Sequence, residues 1–355
     1  MSKGISVYLG LGYSVEQLIE YINKAGHFGF TKVFTSLHIP EANYKNFMTE
    51  LRLVLNECKR NNMDVSVDIS PNTLKFLNLD LESLLKLKDM GINRIRVDFG
   101  FTDREIALLS KMYDDLIIEI NASTITEEFL NNLNKYDANF KNINAFHNYY
   151  PRQNTGLSIE TFNKKNKILK EHGIGISAFI PSNINKRGPI YEGLPTLEMH
   201  RFKKPHIAAK HLFALGVDNI YFGDFIPSDE ELKTVGEVDE DILVLRLETL
   251  NNSKLENKIL FDYIHQNRLD EAQDVIRSTV YRDTQQSIEA NNNINREYGS
   301  VTIDNKYYLR YSGELQICKR NLPKDDRVNV VSKVIEEELF LIDYIKEGTR
   351  FRFIK

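Results

Sequence analysis

Three short β-branched runs carry acids at matching places. In 64–70, Val65, Val67 and Ile69 alternate with Ser66, Asp68 and Ser70; in 94–100, Ile95, Val97 and Phe99 alternate with Arg96, Asp98 and Gly100; in 115–123, Ile118, Ile120 and Ala122 alternate with Glu119, Asn121 and Ser123. A strand sends successive side chains to opposite faces, so if the apolar set packs outward, Asp68, Asp98 and Glu119 face one another. Paired carboxylates suit glycoside hydrolysis, in which one protonates the leaving oxygen and the other acts as nucleophile or base. Glu119, flanked by apolar neighbours, is expected to be the general acid, with Asp68 or Asp98, nearer Arg96, remaining ionised. The structural alternative is a buried Arg96, Asp68, Asp98 and Glu119 network that only holds the strands together.

Other polar residues gather at the ends of strand-like runs. Ser36 and His38 close the second run, His147, Asn148, Tyr149 and Arg152 close the sixth, and Asp224 closes the eighth as a further candidate acid or as a cap for a helix near Ser228. After the seventh run, Ser182, Asn183, Lys186 and Arg187 combine polar side chains, backbone donors and charge, a composition suited to phosphate. The segment from Ile190 to Arg201 then reads as a lid or a wall, since it is longer than a connection needs to be. A rival chemistry is sugar-phosphate isomerisation around a divalent cation held by His38, Asp68, Asp98, Glu119 or His147. No tight His/Glu spacing marks such a site, so no metal or other cofactor is expected. A sugar-phosphate binder without catalysis is the third reading.

The elements that must position these residues follow from periodicity. Strand-like runs at 4–10, 32–39, 64–70, 94–100, 115–123, 143–150, 173–181 and 219–225 alternate with segments of helical spacing such as 14–28, 43–61, 81–90, 103–113, 126–136, 158–172 and 196–215. Eight such alternations predict an α/β fold, a (β/α)8 TIM barrel over 1–236 whose catalytic residues sit at the C-terminal ends of the strands. A doubly wound sheet is disfavoured, because Gly10-Leu11-Gly12 lacks the third glycine of a dinucleotide fingerprint. Over 237–355 the texture changes to runs at 241–248, 258–265, 273–280, 300–309, 313–319, 328–334 and 339–345, which predict a small, mostly β domain.

Composition narrows the partners. The 355 residues are 42% hydrophobic and 27% charged with a net charge of −4, which argues against nucleic acid or an anionic membrane as a general partner. Cys58 and Cys318 form no ligand-like spacing, the N-terminus lacks the pattern of a secretory leader, and no apolar run approaches the ~20 residues of a membrane span. A cytoplasmic enzyme acting on a small molecule is the expectation, and a homo-oligomer is compatible with it.

The order of longer motifs carries a resemblance. GISVYLG at 4–10, VDIS and VDFG at two strand ends, HNYYPRQNTGLS at 147–158, FIPSN followed by RGPIYEGLPTLEMHR through 201, GDFIPS at 223–228 and RYSGELQI at 310–317 together resemble the MupG-type 6-phospho-N-acetylmuramidases. The resemblance implies an exo-acting glycosidase that cleaves the disaccharide of N-acetylmuramic acid 6-phosphate and N-acetylglucosamine during cytoplasmic peptidoglycan recycling. It also implies a barrel followed by a cyclophilin-like β domain. Such a substrate bears a phosphate and a lactyl carboxylate, which would fall to the Lys186-Arg187 loop and to Arg152 respectively.

Overall fold

The structure is a computed structural model that describes all residues except 38–45, 72–83, 98, 113–114, 251 and 281–286, together with the side chain of Leu85. It divides into two units, Met1–Leu212 with Gly216–Glu237, and Phe213–Leu215 with Val238–Lys355.

The first unit is the expected barrel. Strands β1 (Ser2–Ser6), β2 (Lys32–Ser36), β3 (Asp64–Ile69), β4 (Arg94–Val97), β5 (Ile117–Asn121), β6 (Ile143–Phe146), β7 (Gly175–Ile180) and β8 (Asn219–Phe222) pair in parallel and in sequence order, and β8 returns to β1. The helices between them form where the spacing places them. Val15–His27 opens on a capping box between Ser14 and Gln17 and buries Leu18, Tyr21, Ile22 and Ala25 as one stripe. Ile159–Glu171 opens on Ser158, whose side chain accepts from the N–H of Thr161. Within the strands the alternation holds: Val65, Val67, Ile95, Val97, Ile118 and Ile120 are buried on the helix side, while on the axis side Ser66 bonds to Glu119 and Arg96 to Asp68.

In the second unit, β9 (Leu243–Thr249), β10 (His265–Gln266), β11 (Val275–Arg277), β12 (Ser300–Asp304), β13 (Leu315–Cys318), β14 (Val328–Val334) and β15 (Arg350–Ile354) form one sheet in the order β10-β15-β9-β14-β12-β13-β11. Two expected strands are otherwise. The first half of 258–265 belongs to the helix Lys254–Phe261, because Ser253 and Glu256 form a capping box and Glu256, Ile259 and Leu260 fall on one buried face. Glu336–Tyr344 is a 3-10 helix, with Glu338 turned inward to accept from the N–H of Arg246 at 2.8 Å. The last strand, β15, went unread although Phe351 and Phe353 alternate as buried residues; it pairs in parallel with β9.

Candidate active site at the barrel mouth

The barrel axis is built in layers. At the N-terminal end Asp64 accepts from Lys32 Nζ at 3.0 Å and from Arg94 Nε at 2.5 Å, and Arg94 Nη1 lies 3.6 Å from Glu119 Oε1. Glu119 is fully buried and its other oxygen accepts from Ser66, one inward position below Asp68 on β3. Burial raises its pKa, opposed by Arg94 and Ser66. Above this layer Tyr8, Phe34, Phe146, Phe179 and Tyr221 fill the axis, with Phe146 and Phe179 stacked at 4.6 Å. Glu119, the expected general acid, therefore lies beneath an aromatic floor, and its partners are Arg94 and Ser66, not the Arg96 and Asp68 foreseen in the alternative network.

Asp68 is at the mouth. Its Oδ1 accepts from Arg96 Nη1 at 3.2 Å, its Oδ2 accepts from Ser36 Oγ at 3.4 Å, and Arg96 Nη2 donates to Asn148 Oδ1 at 2.5 Å. Asp68, Arg96 and Asn148 line a cavity of about 240 Å³ with Phe34, Phe179 and Tyr149. Four of the sequence candidates, Ser36, Asp68, Asn148 and Tyr149, thus converge with Arg96. His38 and Asp98, which adjoin the same strand ends, lie outside the described residues.

The loop after β7 has a different internal logic from the one expected. Asp224 is completely buried, and its carboxylate accepts the backbone N–H groups of Ser182 at 2.9 Å, Arg187 at 3.0 Å and Leu194 at 3.1 Å. Burial raises its pKa and the three N–H groups oppose the rise. Glu231 accepts from Ser182 Oγ at 2.9 Å and from the N–H of Asn183 at 2.8 Å. The donors that Ser182 and Asn183 were expected to offer to phosphate are committed within the protein, the two N–H groups and the Ser182 hydroxyl to carboxylates and the Asn183 amide to the Lys203 carbonyl. Asp224 shapes the loop rather than standing in the cleft. Lys186 places its ammonium 5.5 Å from the Phe202 ring. Arg187 slots its guanidinium between the rings of Tyr8, at 4.5 Å, and Tyr149, at 4.9 Å.

Other candidates are placed as scaffold. His147 is fully buried with Nδ1 3.1 Å from Ser123 Oγ and Nε2 2.8 Å from Asn166 Oδ1, and its ring stacks on Phe162. Burial lowers its pKa to about 4, so it is neutral at pH 7, and its partner Ser123 Oγ also accepts the N–H of Asn148. Asn121 accepts the N–H groups of Ser123 and Thr124, an Asx turn that ends β5. Arg152 is exposed on the rim.

The segment 190–201 is a wall. Arg201, fully buried, pairs through both Nε and Nη2 with Glu198 and donates to the carbonyls of Gly193 and Arg152, each at 3.0 Å. Glu198 also accepts the N–H groups of Asn154 and Gly156. These bonds weld the loop after β6, which carries Asn148 and Tyr149, to the loop after β7, which carries Arg187. Tyr8, Phe34, Phe179, Arg201 and Glu231 were not singled out from sequence. The alternation that turned Ser36 inward also turns Phe34 inward, and the Glu198-x-x-Arg201 spacing is that of an intrahelical ion pair. Among the described residues no group of three or more His, Cys, Asp or Glu side chains is arranged to hold a metal ion.

Comparison with known proteins bears on this arrangement. A family model described as 6-phospho-N-acetylmuramidase, N-terminal, matches residues 3–237, and one described as 6-phospho-N-acetylmuramidase, C-terminal, matches residues 243–354. No curated protein matches the chain. The crystal structure of an uncharacterized B. cereus protein is 32% identical with a TM-score of 0.88, covering 100% of this chain and 99% of that one. A conserved protein of unknown function from Enterococcus faecalis is 36% identical with a TM-score of 0.72, covering 100% of this chain and 96% of the other. The two family matches span the barrel and the β domain alike, and the chain belongs to the 6-phospho-N-acetylmuramidase family.

Proposed function

We propose that this chain is an active 6-phospho-N-acetylmuramidase, hydrolysing the glycosidic bond between N-acetylmuramic acid 6-phosphate and N-acetylglucosamine in cytoplasmic peptidoglycan recycling. The observation that carries the reading is the Asp68 carboxylate, held by Arg96 and Ser36 in a cavity walled by Phe34, Phe179 and Tyr149. A carboxylate beside apolar ring faces matches a sugar, whose hydroxyls need acceptors and whose C–H faces pack on aromatic rings. Asp68 acts on the anomeric centre, either directly or by orienting the substrate's acetamido group. Asp98, which follows β4 in the sequence, is the proposed second carboxylate, since glycoside hydrolysis requires an acid on the leaving oxygen as well. Glu119 is not retained in that role because a proton donor must reach the leaving oxygen, and Glu119 is sealed below the aromatic layer. Arg152 on the rim remains the proposed partner of the lactyl carboxylate. Consistent with a substrate met in solution, no helix among the described residues is long and apolar enough to cross a membrane.

The test is a coupled assay for free N-acetylglucosamine with the full chain and the phosphorylated disaccharide, run beside the unphosphorylated one. Release from the phosphorylated substrate alone is the expected result. No release from either disaccharide would refute the proposal.

A further inference from the structure

A second cavity, of about 350 Å³, adjoins Arg187 and is lined by Gly10, Leu11, Gly12, Arg187, Gly188, Pro189, Tyr191 and Phe225. Its walls come from the loops after β1, β7 and β8, and the last two are where this fold habitually binds phosphate. Arg187 is the one charged residue among the described residues of the lining. Its Nε and Nη1 are shielded from solvent and donate to no acceptor, Tyr149 is its side-chain hydrogen-bond partner, and the carboxylate that acts on it electrostatically, Asp224, is already committed to three backbone N–H groups. A half-buried guanidinium with idle donors is costly unless something anionic meets it. The loop after β1 adds to the match. Gly10 and Gly12 have φ of 73° and 94°, a conformation that glycine adopts without strain, and the N–H groups of residues 10–12 find no acceptor among the described residues. Consecutive turn N–H groups of this kind favour anions. Lys186, by contrast, is not in the lining and sets its ammonium over Phe202.

We infer that this cavity is a phosphate-monoester subsite, in which Arg187 and the Gly10–Gly12 turn receive the phosphoryl group of a phosphorylated sugar while Leu11, Pro189 and Phe225 flank its apolar side. The inference rests on the reading of the substrate given above and assigns the anion to Arg187 and the first loop instead of the Lys186-Arg187 pair. Tyr149 touches both Arg187 and the Asp68 cavity, so the two cavities are neighbouring subsites of one cleft.

Calorimetric titration of the full chain with N-acetylglucosamine 6-phosphate, N-acetylglucosamine and unphosphorylated N-acetylmuramic acid tests it. Arg187→Met should weaken the phosphorylated sugar at least about tenfold, the scale of charge-assisted hydrogen bonds, and leave the two unphosphorylated sugars within about twofold. Lys186→Met should change all three by less than about threefold, and Arg187→Lys, which keeps the charge, should recover part of the loss and report on folding. Equal losses in Lys186→Met and Arg187→Met, or a loss in Arg187→Met that falls as heavily on N-acetylmuramic acid, would overturn the assignment. These are binding measurements, so failure of the hydrolysis assay would leave them standing, and hydrolysis with the wrong binding pattern would remove the subsite alone.

Discussion

Arg201 and Glu198 meet in a two-pronged pair, Nε to Oε1 and Nη2 to Oε2 both at 2.6 Å, with the guanidinium completely buried and the carboxylate partly open to solvent. The pair holds Glu198 down to a pKa of about 2, with the Arg201 hydrogen bonds as the largest cause. Glu198→Ala leaves a buried guanidinium without its counter-charge and is expected to cost about 3–5 kcal/mol of stability, measured by denaturant unfolding. Arg201→Lys, which cannot form the fork, should raise KM for the disaccharide more than it lowers kcat, because the two loops it joins carry Tyr149 and Arg187. An unchanged KM in a folded Arg201→Lys would show that the wall does not position them.

Asp68 and Glu119 are expected to separate cleanly. Asp68→Asn should lose at least ~10²-fold in turnover while melting close to wild type, as loss of a reacting carboxylate does. Glu119→Gln should instead lose at least about 1 kcal/mol of stability, since Arg94 and Ser66 lose their charged partner, and keep most of its turnover per folded molecule. Parallel kinetics and thermal melts decide; the reverse pattern would restore Glu119 to the chemistry.

Asp224→Asn replaces an acceptor of three backbone N–H groups by one with a single acceptor oxygen and a misdirected amide. The loop that carries Arg187 should loosen. The expected kinetic result is a KM raised about tenfold with kcat altered less, checked on phosphorylated substrate.

His147 gives a pH prediction. Its folded pKa, about 4, lies below the ~6.5 of an unfolded histidine, so below pH 6.5 the unfolded chain takes up a proton that the folded chain refuses. Stability is therefore full above pH 6.5 and falls progressively as pH drops toward 4, by up to about 3 kcal/mol from this group. Burial holds His200, His211 and His265 low as well, so urea midpoints across that interval should show a slope that His147→Asn lessens by its own share without abolishing it.

Much of this was legible in the sequence because barrel strands obey a period of two. Val65, Val67, Ile95 and Ile118 gave away which face Asp68 and Glu119 share. What alternation cannot convey is height along the axis. Asp68 and Glu119 are both inward, yet the stagger of parallel strands in a closed barrel sets Glu119 beside Ser66, a layer lower, and so beneath the rings. The loops were illegible for another reason. Whether Ser182 and Asn183 face a ligand or an internal acid depends on Asp224 and Glu231, more than 40 residues on, and no local pattern announces that pairing. In the β domain, Ser253 and Glu256 were a readable helix start that the apolar run after them obscured.

The aromatic floor of Tyr8, Phe34, Phe146, Phe179 and Tyr221 also divides. It parts the Asp68–Arg96 pair from the Asp64–Arg94–Glu119 group with a layer of packed rings. The lower set anchors the barrel while the upper set stands at the cavity. One end of the same cylinder is thus a keel and the other a workbench, and a substitution at Glu119 removes no hydrogen bond that Asp68 makes with Arg96 or Ser36.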